Sequence, residues 1–305
     1  MSLAPAPVDV VGSDGLPLCG RFRGLAGAPG WTHLAAPHAR GALWRRLHHK
    51  RWHFVALATE EVFCAVAVVD IGWSNTAFAY VFDRATGAFL DAFSPLGLPG
   101  LTASVGHTAM EGARFALPGR RIVIDADGAH GHRLQVRAGG MRIDARYAGE
   151  GPRLLAVGPT LDGGAVHSTQ KSPGLALEGR LEAGGRHYRL DGGTASYDYS
   201  NGLLGRQTHW RWISAHGPRL GFNLQTGYFG DAENALWLDG ELIPLGAVRI
   251  AVEASGAWQL DTEDGLLALR FVPEGMRHDD KHLVVASSRL RPGNRPLRRL
   301  GARAG

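Results

Sequence analysis

The residues best equipped for chemistry gather between Ala195 and Ala215. Ser196, Tyr197, Asp198 and Tyr199 are followed, beyond Asn201-Gly202, by His209, Trp210, Arg211 and Trp212. An Asp beside a His or an Arg is raw material for general acid–base catalysis, because a charged partner and partial burial tune a carboxyl pKa. Side chains alternate across a strand, so Trp210 and Trp212 share one face and His209 and Arg211 the other, while Tyr197 and Tyr199 oppose Asp198. If the two strands pair across a turn at Asn201-Gly202, one face carries aromatics and the other an Asp, a His and an Arg. Asp198 is then the acid and His209 its partner. Tyr197, Trp210, Arg211 and Trp212 meet the substrate, with the indoles stabilising positive charge by cation–π contact. A Trp pair packed over a structural ion pair fits the same residues.

Asp231, Glu233 and Asn234 form a second cluster just ahead of Trp237. Glu233 and Asn234 suit a hydroxylated ligand at the mouth of a barrel, although Asp231 and Asn234 equally suit the shaping of a turn. Asp198 with Glu233 would serve glycoside cleavage if the carboxyl groups stood about 5 to 10 Å apart.

Other chemistries lack their motifs. The chain has no Gly-x-Ser-x-Gly elbow, phosphate-binding Gly-Lys-Ser/Thr loop, His-Glu-x-x-His or Cys-x-x-Cys, so no cofactor and no metal are expected. The only lysines are Lys50, Lys171 and Lys281, set against abundant Arg, which points to a high-GC genome more than to a mechanism. Cys19 and Cys64 are too few for a disulfide framework and fit a reducing cytoplasm.

The elements that must position these residues are strands. Trp52 to Thr59 and Val62 to Asp70 reverse at Glu60-Glu61, and Asn75 to Asp83 turns into Ala88 to Phe93. Ala235 to Leu238 meets Glu241 to Pro244 across Asp239-Gly240, the strongest hairpin signal present, because a type I′ turn demands positive φ. The tally is about twenty short strands, against one helical candidate at Pro37 to His49, with Leu43, Trp44 and Leu47 on one face. Glycine, at 43 of 305 residues, punctuates the apolar runs. So many antiparallel strands must close or cover their edges, which favours barrels over any alternating βαβ architecture. Gly151-Pro152, Gly158-Pro159 and Gly163-Gly164 suggest a division near residue 150, between an N-terminal half (1–150) and a C-terminal half (151–305). A signal peptide and an apolar run long enough for a membrane helix are not evident. The net charge of +5 gathers partly in a basic C-terminal tail, Arg289 to Arg303, read as solvated chain and not as a nucleic-acid arm.

Lys50-Arg51-Trp52-His53-Phe54, Val66 to Gly72, Tyr80 to Asp83, Asp198 to Trp212 and Glu233 to Gly240 together resemble an uncharacterised bacterial family of unknown function. That family is distantly similar to carotenoid 1,2-hydratase (hydroxyneurosporene synthase) and to AttH-type lipocalin-like proteins. The resemblance implies two lipocalin-like β-barrel halves. It also implies an Asp, supported by His, Trp and Tyr, that protonates an isolated alkene so that water can add. His209, Trp210 and Trp212 match the aromatic-rich strand of that pattern, and Trp237 with Asp239 matches the later strand carrying an acid. Trp237 stands where the pattern has Tyr, and Asp239 also opens the Asp-Gly turn, so Asp198 is the alternative acid. The expectation is an all-β protein of tandem lipocalin-like barrels, cytoplasmic, with a pocket for an apolar or polyhydroxylated small molecule. It is either a cofactor-free hydratase, lyase or cyclase, or a binding protein without catalysis.

Overall fold

A computed structural model describes residues 3–277, 279, 281–283 and 286–288; the basic tail beyond Ser288 lies outside the described residues. The chain is all-β apart from short helical turns. Strands His49–Ala58, Val62–Asp70, Asn75–Asp83 and Ala88–Phe93 form one antiparallel meander. Ala113–Leu117, Arg120–Ala126, Gly131–Ala138 and Met141–Ala148 form another. Strand Gly193–Leu203 joins them. One of its edges runs along His49–Ala58, and the start of the other pairs with Leu175–Ala183, which in turn pairs with Met141–Ala148. The sheet curls around a core of Val55, Val66, Val81, Phe115, Ile122, Leu134 and Leu181. Among the described residues no ladder joins Ala88–Phe93 to Ala103–Val105, so the barrel is not closed.

Beyond Asp198 the second edge of Gly193–Leu203 turns to a different neighbour, Val166–Lys171, followed by Leu154–Gly158 and Gly20–Arg23. Pairing therefore runs across the Gly/Pro-rich stretch near residue 150, where a division was expected. The sheet ends at Leu203. A second sheet, Trp210–His216, Leu220–Gly227, Ala235–Leu238 and Glu241–Pro244, packs on a three-stranded third sheet, Val248–Val252, Trp258–Thr262 and Ala268–Phe271. Phe222, Leu224, Leu236, Leu260 and Phe271 fill the space between them.

Local signals held where the local chain decides. The Asp239-Gly240 turn forms with φ of 49° and 85°, as a type I′ hairpin requires. Asn201-Gly202 does not turn. It stays in the ladder, because the buried Asn201 amide accepts from Trp31 Nε1 (2.9 Å) and lies 2.8 Å from His49 Nε2, and donates to Tyr199 Oη (3.2 Å). The expected pairing of the Asp198 strand with the His209 strand is thereby corrected. The helix is shorter than expected, Ala42–His48, and it leaves Leu43 and Leu47 exposed. Only Trp44 of that face is covered, stacked on His48. No helix among the described residues is long and apolar enough to cross a membrane.

Several imidazoles are enclosed. Burial holds His53, His132 and His167 below the ordinary histidine value and brings His216, packed on Trp237, down to about 4. A group with a lower pKa folded than unfolded gives stability that is present above its unfolded value and lost as pH falls through its folded value. The melting temperature should therefore be level above neutral pH and drop between about pH 6.5 and 4. His216→Phe should flatten that drop while keeping the ring contact. A wild-type profile level down to pH 4 contradicts this account.

Candidate functional site

Register places Lys171 directly opposite Asp198, with Thr169 opposite Ser200 on the same face. That face looks away from the curled core and toward the second sheet. Lys171 Nζ lies 2.6 Å from Asp198 Oδ1 and 3.2 Å from Glu233 Oε2, and all three side chains are at most one-tenth exposed. Glu233 sits in the segment between Leu220–Gly227 and Ala235–Leu238, so the ammonium ties the first sheet to the second. Trp212 of the second sheet lays its ring 5.8 Å from Lys171 Nζ and meets Phe54 edge to face. Its indole N–H donates to Asn223 Oδ1 (2.7 Å), and the Asn223 amide donates to the Glu233 carbonyl (2.9 Å), which fixes both site elements to one another. Thr169 donates to Asp198 at a long 3.4 Å.

The electrostatics follow from one cation held between two anions in a dry site. Burial works against a charged Lys171, but Asp198 and then Glu233 outweigh it, and the lysine pKa lies above its ordinary value. Glu233 is shifted upward by burial, opposed by Lys171 and reinforced by Asp198. A proton on Glu233 lowers the charge that the dry site must hold, which is why burial favours it. Tyr228 feels the same pair: burial, then Glu233 and Asp198, hold its hydroxyl well above the ordinary phenol value. Its oxygen lies 3.4 Å from His167 Nδ1, and His167 is kept neutral by burial and by Lys171.

Of the residues expected from sequence, the structure brings together Asp198, Glu233 and Trp212. His209 is exposed and is not the partner of Asp198; Lys171 holds that place. Arg211 is exposed. Trp210, 43% exposed, stacks on Trp52. Tyr197 faces the opposite side of its strand, inside the curled core. Asn234 is buried but serves the backbone, accepting from Gln225 N (2.6 Å) and donating to the Gly246 carbonyl (3.0 Å). Trp237 donates to the Pro152 carbonyl (2.6 Å) in a separate apolar cluster. Asp239 is exposed at its turn and paired with Arg219. Sequence reasoning missed Lys171, Thr169, Asn223, Gln225 and Tyr228. One signal was available: every residue of Val166–Lys171 after Val166 is polar, the run ends on one of only three lysines, and every member is buried.

Gln225 stands opposite Trp212 in register, so its side chain shares the Lys171-facing side of the sheet. Its amide is buried without a hydrogen-bond partner among the described residues. Gln225, Gly230, Asp231 and Val248 help to line a cavity of about 410 Å³, within the range of small-molecule sites.

A curled, unclosed sheet facing a two-sheet sandwich across a buried polar centre defines the class: a lipocalin-like all-β protein. The chain belongs to the family described as domain of unknown function DUF2804, which it matches over residues 8–291. It is similar in fold to kievitone hydratase from Nectria haematococca, at 13% identity and a TM-score of 0.54, covering 82% of this chain and 84% of that one. It is also similar to an AttH protein from Nitrosomonas europaea, at 16% identity and a TM-score of 0.51, covering 79% and 84%. No curated protein matches it in sequence.

Removing one member of a buried ion trio strands the others. Lys171→Met should cost about 3 to 5 kcal/mol in urea unfolding, and Lys171→Met with Asp198→Asn and Glu233→Gln should recover much of that loss. A single variant as stable as wild type would show that the ammonium does not hold the sheets.

Proposed function

We propose that this protein is a cofactor-free acid–base enzyme of the hydratase or lyase kind, with Glu233 as the general acid. The observation that carries the reading is a buried carboxyl shifted toward its protonated form beside an ion pair and an indole face. An acid with a pKa above the ordinary carboxyl range keeps its proton nearer neutral pH and can deliver it to a weakly basic carbon. In the hydration direction the Glu233 proton adds to one alkene carbon, and the neighbouring carbon becomes cationic. The face of Trp212 and the Asp198 carboxylate stabilise that cation. Water attacks it, and the released proton returns to the Glu233 carboxylate, so the acid is regenerated. Elimination is the same path reversed. Lys171 positions Asp198 and keeps the trio from carrying excess negative charge.

The substrate class is read from the surroundings of the centre. Phe54 and Trp212 pack beside Lys171, and the unpartnered Gln225 amide, which lines the cavity of about 410 Å³, offers one polar anchor. An apolar molecule with an isolated double bond and one amide-matching polar group suits them. The hydratase name of a fold neighbour at 13% identity agrees with this reading. Glycoside cleavage is not favoured, because Lys171 occupies the space between the two carboxylates where a sugar would lie.

A second reading rests on the near-complete burial of the trio: Lys171, Asp198 and Glu233 form a clamp between sheets around a binding pocket without catalysis. Incubating the protein with prenyl and terpenoid alkenes in ¹⁸O-labelled water separates the two readings. The enzyme reading expects labelled alcohol from wild type and a fall of about 100-fold or more in Glu233→Gln, which keeps a hydrogen-bonding side chain. Equal turnover in wild type and Glu233→Gln, or no product from any alkene that binds, rejects it.

A further inference from the structure

The strand Gly193–Leu203 has a second polar face. Opposite the Lys171 centre, inside the curled sheet, Tyr197 meets His53, His132, Tyr147 and Arg153. The His53 ring lies 5.3 Å from His132 and 5.7 Å from Tyr197, and His132 lies 5.4 Å from Tyr147. His53, His132 and Tyr147 are at most 1% exposed. Neither ring nitrogen of His53, nor His132 Nδ1, nor the Tyr147 hydroxyl has a hydrogen-bond partner among the described residues.

Arg153, 5% exposed, reaches the same cluster. Its Nε donates to Tyr197 Oη (3.1 Å) and its Nη2 to the His130 and Gly149 carbonyls (2.8 and 3.0 Å). All three acceptors are neutral, and no carboxylate among the described residues forms an ion pair with this guanidinium. A buried cation without an anion is costly, and so is a buried hydroxyl or imidazole without a hydrogen bond. Here both deficits fall in one enclosed place, and they are complementary to one kind of molecule.

We propose that the concave side of the curled sheet holds a second small-molecule site, for a small organic carboxylate, with Arg153 supplying the charge and Tyr147, Tyr197 and His53 the donors. A carboxylate has two oxygens with acceptor capacity for these donors, and its charge answers Arg153. His132 gives its Nε2 proton to the Ala109 carbonyl (2.9 Å), so its Nδ1 is an acceptor ready for a hydroxyl on the ligand. The segment Gly106–Gly112 is tied to this end of the interior by that bond and by Tyr199 Oη donating to the Gly106 carbonyl (2.9 Å). This site is separate from the Lys171 centre and independent of its chemistry.

Isothermal titration of the whole protein with benzoate, 4-hydroxybenzoate and the neutral isostere benzamide tests the proposal. Saturable binding of at least one acid is expected, with benzamide at least about tenfold weaker. Tyr147→Phe, which keeps the ring against His132, should weaken the acid at least about fivefold with an unchanged melting curve. Arg153→Gln should abolish binding; if that variant does not fold, Tyr147→Phe decides alone. Any of three results overturns the site: no saturable binding of either acid, Tyr147→Phe binding as wild type, or loss of binding in Glu233→Gln. The last places the acid at the Lys171 centre instead.

Discussion

The fold turns on one ammonium shared by two carboxylates. Lys171 and Asp198 belong to neighbouring strands of the first sheet, whereas Glu233 arrives from the second, so a single Nζ joins two otherwise separate layers. The desolvation cost of three buried ionisable groups is offset only if all three stay together, and that makes the interface all-or-none. Everything around the trio serves the same geometry. Asn223 links the Trp212 indole to the Glu233 backbone, and Trp212 covers the ammonium. Burial and the neighbouring Asp198 raise the proton affinity of Glu233 against the pull of Lys171.

The strand Gly193–Leu203 organises the rest. It is buried from Ala195 to Leu203 and serves two neighbourhoods by simple alternation. Asp198 and Ser200 look toward the second sheet, while Tyr197 and Tyr199 look into the curled core. An edge that pairs first with Leu175–Ala183 and then with Val166–Lys171 lets the sheet branch there. The branch point is where the Lys171 centre is built. A polar residue on either face of so enclosed a strand must find a partner in protein or ligand, and this is why both faces carry chemical interest.

Much of this architecture was legible in the residues. Reversals at Glu60-Glu61 and Asp239-Gly240, and strands such as Val62–Asp70 and Asn75–Asp83, follow from turn chemistry and β-rich runs that act over a few neighbours. The misreading at Asn201-Gly202 has an equally physical cause. A local preference for a turn yields to a buried amide with partners contributed by Trp31, His49 and Tyr199, far away in sequence. A turn at Asn201-Gly202 would set His209 beside Asp198; with that dipeptide kept in the ladder, His209 lies exposed.

The sequence by itself determined the all-β class, the face on which each side chain lies, and the candidacy of Asp198, Glu233 and Trp212. These depend on the two-residue period of a strand and on turn propensities, both of which are local. Only the tertiary structure decided what Asp198 touches. Its partner, Lys171, stands opposite it because of an inter-strand register, and Glu233 reaches the same nitrogen because a separate sheet docks there. Strand neighbours and sheet docking are set by the packing of the whole chain. No spacing within one segment encodes them, and so the residue that holds the centre together was the one its sequence context concealed.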